Sequence, residues 1–289
     1  MLSGIIDAHV HIFPPEIVAA REEYRARDMW FGMLYERPDY LLASPDDLIS
    51  SMDAAGIEVS IACGFPWADP GICREHTRWM AEVRAQHPGR IEFLAIVAPN
   101  DPSAARDAEQ AFDLGAAGIG ELNADAQGFD LRLPGSISNL MGVCRERSKP
   151  VMLHASEPVG HIYPGKGTAT PDRLVDLLRA YPEQPVALAH WGGGLPFYEL
   201  NPAVYKVTRN VVYDSAATTY LYRDAVFPAV MGIIGPDRAL FGSDYAVLRQ
   251  DRLLRKVRQV VSGDADQQML LTRNARRFYR LDGLKEIAT

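Results

Sequence analysis

Eight short apolar runs, mostly β-branched, alternate with helical segments along this chain, and that alternation constrains its fold more than any other feature. The runs are Ile5 to Ile12, Val59 to Phe65, Ile91 to Ala98, Ala117 to Asn123, Pro150 to Ser156, Pro185 to His190, Val211 to Ala216 and Ala239 to Tyr245. Strand–helix alternation implies parallel strands, and eight such units predict a closed (β/α)8 TIM barrel of α/β class rather than an open sheet. Helix starts are written in Ser44-Pro45-Asp46-Asp47 and Thr170-Pro171-Asp172, where a capping hydroxyl, a proline and an acid follow one another. Further helices are expected over Glu16 to Arg27, Arg74 to Gln86, Asp101 to Leu114, Ile137 to Arg147, Arg223 to Ile234, Asp251 to Val261 and Gln267 to Tyr279. No low-complexity linker interrupts the pattern, so residues 1–289 read as one domain, with 47% hydrophobic content to fill its core.

One stretch departs from the alternation. Residues 13–43, after the first strand, carry Met29, Trp30, Phe31, Tyr35 and Tyr40. An aromatic insertion behind a strand end reads either as a lid or pocket wall, or as a packing or subunit-contact segment. A homodimer is the assembly this insertion suggests.

A net charge of −7 and a pI near 5.5 argue against nucleic acid as a partner. Cys63, Cys73 and Cys144 are odd in number and lack C-x-x-C spacing, so neither a disulfide framework nor a thiolate metal site is expected. No apolar stretch approaches the ~20 residues needed to span a bilayer, and no signal-like leader is evident. The expectation is a soluble, cytoplasmic protein acting on a small molecule.

His9 and His11 stand on one face of the first strand, because alternate side chains of a strand share a face. Two imidazoles so placed can hold one divalent ion if other strands supply partners. In a (β/α)8 barrel the chemistry gathers at the C-terminal strand ends. Those ends carry Glu121 on strand four, His154 on five, His190 on six, Asp214 on seven and Asp244 on eight. Each alone is an ordinary hydrogen-bonded residue; together they point to a metal centre.

Asp7-Ala8-His9-Val10-His11, Leu153-His154-Ala155, Ala189-His190-Trp191-Gly192-Gly193-Gly194, Phe241-Gly242-Ser243-Asp244-Tyr245 and Asn274-Ala275 together resemble the amidohydrolase superfamily. The likeness is to its amidohydrolase-related branch of metal-dependent hydrolases and decarboxylases, and it covers nearly the whole chain. It implies that His9, His11 and Asp244 bind one metal, with His154 and His190 available for a second. Binuclear members often bridge their ions with a carboxylated lysine on strand four; here that strand has Glu121, as in TatD-type hydrolases. One bound ion would take His9, His11, His154 and Asp244 and leave His190 to polarise substrate. With two, Glu121 and His190 join, and the bridging glutamate favours two. Zinc is the expected ion, with manganese and iron also admitted.

A bound divalent ion generates hydroxide and polarises a carbonyl. Asp244 is then the proton shuttle and His190 an oxyanion stabiliser. The expected activity is a hydrolase cleaving an amide, lactone or ester in a small carboxylated substrate. The alternative is a decarboxylase or hydratase of an aromatic or unsaturated acid on the same metal; a barrel that keeps metal without catalysis is the third reading. Substrate contacts are expected from His161, Tyr163 and Lys166 in the loop after strand five, with the lysine pairing a carboxylate. Trp191 and the glycines after it offer either backbone donors or simply a tight strand-to-helix turn. Asp214 is a candidate to orient a ligand histidine.

Overall fold

Each apolar run contributes one strand to a parallel sheet whose spatial order follows the chain. The structure, a computed structural model, describes residues 4–281. The strands are β1 (Ile6–Val10), β2 (Val59–Cys63), β3 (Ile91–Ala95), β4 (Gly118–Leu122), β5 (Val151–Leu153), β6 (Val186–Leu188), β7 (Val211–Asp214) and β8 (Ala239–Leu240). The sheet comes round on itself where Ala8 N donates to Phe241 O at 2.8 Å and Val10 bridges Tyr245 in parallel. The result is one α/β domain with a TIM-barrel fold.

Two layers of side chains hold it. Outward-facing Phe93, Ile119, Leu153, Leu188, Tyr213 and Phe241 pack under the helices in the main core. Ile6, Ala8, Ile61, Cys63, Leu94, Met152, Val212 and Leu240 form a second cluster with Tyr279 and fill the lumen. The sheet approaches closely at Gly120, where a Cβ would lie 2.6 Å from the Met152 Cβ. Only glycine fits there.

Of the two capping signals, one acts as read and the other differently. Ser44 Oγ accepts from Asp47 N while Asp47 Oδ2 accepts from Ser44 N, and the helix Pro45–Ala55 ends on Gly56 at φ 72°. Thr170 instead turns its hydroxyl to Asp172 Oδ1 at 2.6 Å. The helix expected from Arg74 begins at Pro70, because Asp69 caps Gly71 and Ile72. The closing segment is broken by a wide turn, Met269–Arg273, between Asp264–Gln268 and Asn274–Phe278.

The insertion forms three short helices, Pro15–Ala19, Arg21–Arg27 and Met29–Leu34. Its rings interlock with the β2 loop: Phe31 lies 5.0 Å from Trp67 and 5.4 Å from Phe65, centroid to centroid, and Phe13 lies 5.4 Å from Tyr35. Buried Asp28 ties the two segments, accepting from Phe31 N at 2.8 Å and Ala68 N at 3.1 Å. Among the described residues no helix is long and apolar enough to cross a membrane.

Candidate metal centre

A register shift in β1 brings both histidines into the barrel mouth. Ile6 and Ala8 face the lumen, whereas Asp7 turns to Gln250 Nε2 at 2.8 Å on the helix side. The β1–β2 pairing slips between Asp7 and Val10. A bulge flips the parity of the residues beyond it, so His9 and His11 lie above Ala8 inside the barrel. The β4–β5 pairing slips in the same way between Ile119 and Leu122 and presents Glu121.

Four donor atoms from three strand ends converge. His9 Nε2 and His11 Nε2 are 3.1 Å apart. Glu121 Oε2 lies 3.6 Å from each, and Asp244 Oδ1 lies 3.8 and 3.7 Å from them. Donors sharing one cation at bonds of about 2.0–2.2 Å stand about 3–3.6 Å apart in four- to six-coordinate geometry, so these separations fit a shared ion. Across Glu121 a second group forms, with His154 Nδ1 at 2.9 Å and His190 Nε2 at 3.3 Å from Oε1. Glu121 thus offers one oxygen to each group.

The rings are aimed by what holds their other nitrogens. His11 Nδ1 donates to Cys63 O at 3.1 Å, which leaves the Nε2 lone pair bare. His190 Nδ1 donates to Ala216 O at 3.2 Å. Asp214 Oδ2 holds His9 Nδ1 at 2.9 Å, while its Oδ1 accepts from His190 N and Ala216 N. Asp214 therefore orients His9, as its place on strand seven suggested.

The cluster is electrostatically coupled. Burial opposes charge on His9, but Asp214 and Glu121 hold the imidazole well above its usual value. Burial likewise opposes ionisation of Glu121, and His9 and His154 keep it well below the carboxylate range. His190 is pushed up to about 9, Glu121 outweighing its burial. His190, Trp191 and Asp244 all adopt left-handed backbone, with φ of 56°, 55° and 64°. For non-glycine residues such strain costs about 1–3 kcal/mol each and marks functional segments.

A cavity of about 130 Å³ opens above these groups. His11, Glu121, His154, His190 and Asp244 line it, and its walls include Trp30, Leu34 and Tyr35 of the insertion, Phe65, Tyr163 and Leu221. Among the described residues no lysine or arginine reaches it.

The four expected substrate contacts fare differently. Tyr163 lines the cavity, and its hydroxyl donates to Glu157 at 2.9 Å. His161 lies outside, exposed, stacked 5.1 Å from both Tyr163 and Tyr220. Lys166 is not free for a carboxylate, since Glu157 pairs with it at 3.3 Å and His161 O accepts from it. Trp191 is wholly buried away from the cavity, donating to Thr218 Oγ1 at 2.8 Å; its glycine run is a left-handed turn. Asn123, missed from sequence, lines the cavity; its place two residues beyond Glu121, just past the end of β4, was the available signal.

Known proteins place the chain. It is 25% identical to a gamma-resorcylate decarboxylase of Rhizobium radiobacter over 98% of this chain and the whole of that one. Its fold matches a 2,6-dihydroxybenzoate decarboxylase from Rhizobium at TM-score 0.74 and 20% identity, covering 98% of this chain and 100% of that chain. It also matches a 5-carboxyvanillate decarboxylase from Novosphingobium aromaticivorans, complexed with manganese and 4-hydroxy-3-methoxy-5-nitrobenzoic acid, at TM-score 0.77 and 19% identity, covering 96% of each chain. These relatives overturn the expectation of a hydrolase: the activities they carry are decarboxylations. Hydrolysis and decarboxylation draw on the same strand-end ligands, so the ligand motifs do not separate them. The Amidohydrolase family model matches residues 6–281, nearly the full length over which the barrel and its strand-end cluster extend, and the chain belongs to that family.

Proposed function

We propose that this protein is a metal-dependent decarboxylase of a single-ring aromatic acid. The observation that carries the reading is the cavity: an acid–imidazole floor under aromatic and aliphatic walls, with a volume of about 130 Å³. An apolar cavity of about 150 Å³ accommodates benzene, so one ring fills this space. With no lysine or arginine among the described wall residues, the charge of the substrate carboxylate is best met at the floor. The activities of the relatives support the same conclusion.

His9, His11, Asp244 and Glu121 Oε2 would hold one divalent ion, and a donor set with two carboxylates suits manganese as well as zinc. Manganese, present in the 5-carboxyvanillate decarboxylase relative, is the ion we assign. When bound, it would supply positive charge that attracts the substrate carboxylate. Asp244, at the cavity floor, takes a proton from solvent before the substrate seals the cavity and delivers it to the ring carbon that bears the carboxylate. The C–C bond then breaks, CO2 leaves, and the bonding pair restores the aromatic ring. His190, whose Nε2 lies 3.3 Å from Glu121 Oε1, faces the same floor and orients the carboxylate until it departs. The walls exclude water and hold the ring in line with Asp244.

The test is manganese-loaded protein incubated in D2O with a panel of hydroxylated benzoates, alongside esters, lactones and amides. CO2 release with deuterium at the vacated ring carbon, and one ion per chain by elemental analysis, is the expected result. Turnover of the hydrolytic panel alone would overturn the proposal.

A further inference from the structure

Asn123 is 1% exposed and lies on the cavity wall, yet only half of its amide is used. Its Oδ1 accepts from Asp125 N at 3.0 Å and Ala126 N at 3.1 Å, capping the short helix Ala124–Gln127. Two backbone N–H groups on one side can be met only by the oxygen, so the amide cannot flip. Nδ2 is thereby turned the other way, and among the described residues no protein acceptor meets it. A donor in so enclosed a side chain, on the cavity lining and without a protein partner, is free to meet a ligand there.

Its place just past the end of β4, in extended backbone, says which part of the ligand. Glu121 reaches the ion-binding donors, and Asn123 stands two residues further along, about 6–7 Å toward the mouth. That is roughly one ring width beyond the carboxylate anchored at the floor. We propose that Asn123 binds the substrate by donating from Nδ2 to an oxygen on the side of the ring opposite the carboxylate, and so selects aromatic acids oxygenated there over unsubstituted ones. The inference rests on the aromatic-acid reading above and names the ring position that reading leaves open.

The probes are benzoate, 4-hydroxybenzoate and 2,6-dihydroxybenzoate, titrated calorimetrically into manganese-loaded protein. Asn123→Asp keeps the cap acceptor and removes the donor; Asn123→Ser keeps a neutral cap but shortens its reach. Both variants should melt within about 2 °C of the parent, because the cap survives. The parent should bind 4-hydroxybenzoate about tenfold more tightly than benzoate, as one buried hydrogen bond allows, and both variants should reduce that ratio to within about twofold. Any advantage of 2,6-dihydroxybenzoate over benzoate should survive in both, since its oxygens flank the carboxylate at the floor. A 4-hydroxyl preference that persists in the variants, or its absence from the parent while benzoates still bind, would overturn the assignment of Asn123 and leave the decarboxylase reading intact. If no benzoate binds the parent, the aromatic-acid reading fails and this inference falls with it.

Discussion

The two ends of the barrel lumen are made by the same eight strands and obey opposite rules. Below, Ile6, Ile61, Leu94, Met152 and Leu240 close the space with apolar volume, and Tyr279, just past the helix Asn274–Phe278, plugs it. Above, a few residues further along β1 and β4, His9, His11 and Glu121 meet Asp244 with donor atoms 3.1–3.8 Å apart. The lower end gains from every contact it makes. The upper end gathers buried charge and left-handed backbone that oppose folding until a cation and a ligand arrive. Stability and function are thus separated along one axis, and substitutions at the two ends should behave differently.

The largest effect is expected at the mouth. Asp244→Asn should lower kcat for the best aromatic acid by about 10³-fold, the size of a lost proton donor, while the melting temperature of metal-free protein stays level or rises. A matching fall in stability would mean that the mouth contributes to the fold after all. Met152→Ala, deep in the lumen, should do the reverse: about 2–5 kcal/mol of unfolding free energy lost in urea titration, with kcat of the folded, loaded protein nearly unchanged.

His76 sharpens the contrast because it is equally buried but has no carboxylate beside it. Trp67 Nε1 donates to its Nδ1 at 3.0 Å, so its Nε2–H donates to Ile12 O at 3.0 Å, and the ring is neutral. Burial pushes it down to about 4 from 6.5. Between those values the unfolded chain binds the proton that the folded one refuses. The contribution is therefore complete above pH 6.5 and is lost as pH falls toward 4, on the order of 3 kcal/mol. Denaturation at pH 7 and pH 4.5 should show this loss in the parent and not in His76→Gln; parallel losses would show that His76 is not its source. The smallest effect is expected at the barrel floor. The Tyr279 hydroxyl is buried without a partner, so Tyr279→Phe should leave stability unchanged or raise it by up to about 1 kcal/mol.

How much of this was legible depended on how local its cause was. The barrel was readable because strand runs and capping signals act over a few residues: Ser44 and Asp47 cap each other across three positions. His9 and His11 were readable because they share one strand. Lys166 was misjudged because its partner, Glu157, is fixed by loop folding that no spacing encodes. For Trp191 the tight-turn alternative holds and the substrate contact does not, because the left-handed turn at His190 and Trp191 buries a residue that sequence order places at the mouth. Hydrolysis was expected over decarboxylation because the ligand motifs are shared, and the reactions are distinguished by the shape and polarity of the wall, assembled from distant segments.

The insertion has a consequence for descent. Trp30 and Leu34 face the cavity, and the segment that carries them supplies none of the ligand set and is held by a ring cluster shared with the β2 loop and by Asp28. If the substrate is the aromatic acid proposed above, a change of two or three side chains on this segment would revise which ring fits while the ligand set stays as it is. The reaction is inherited with the barrel, and the appetite is free to drift.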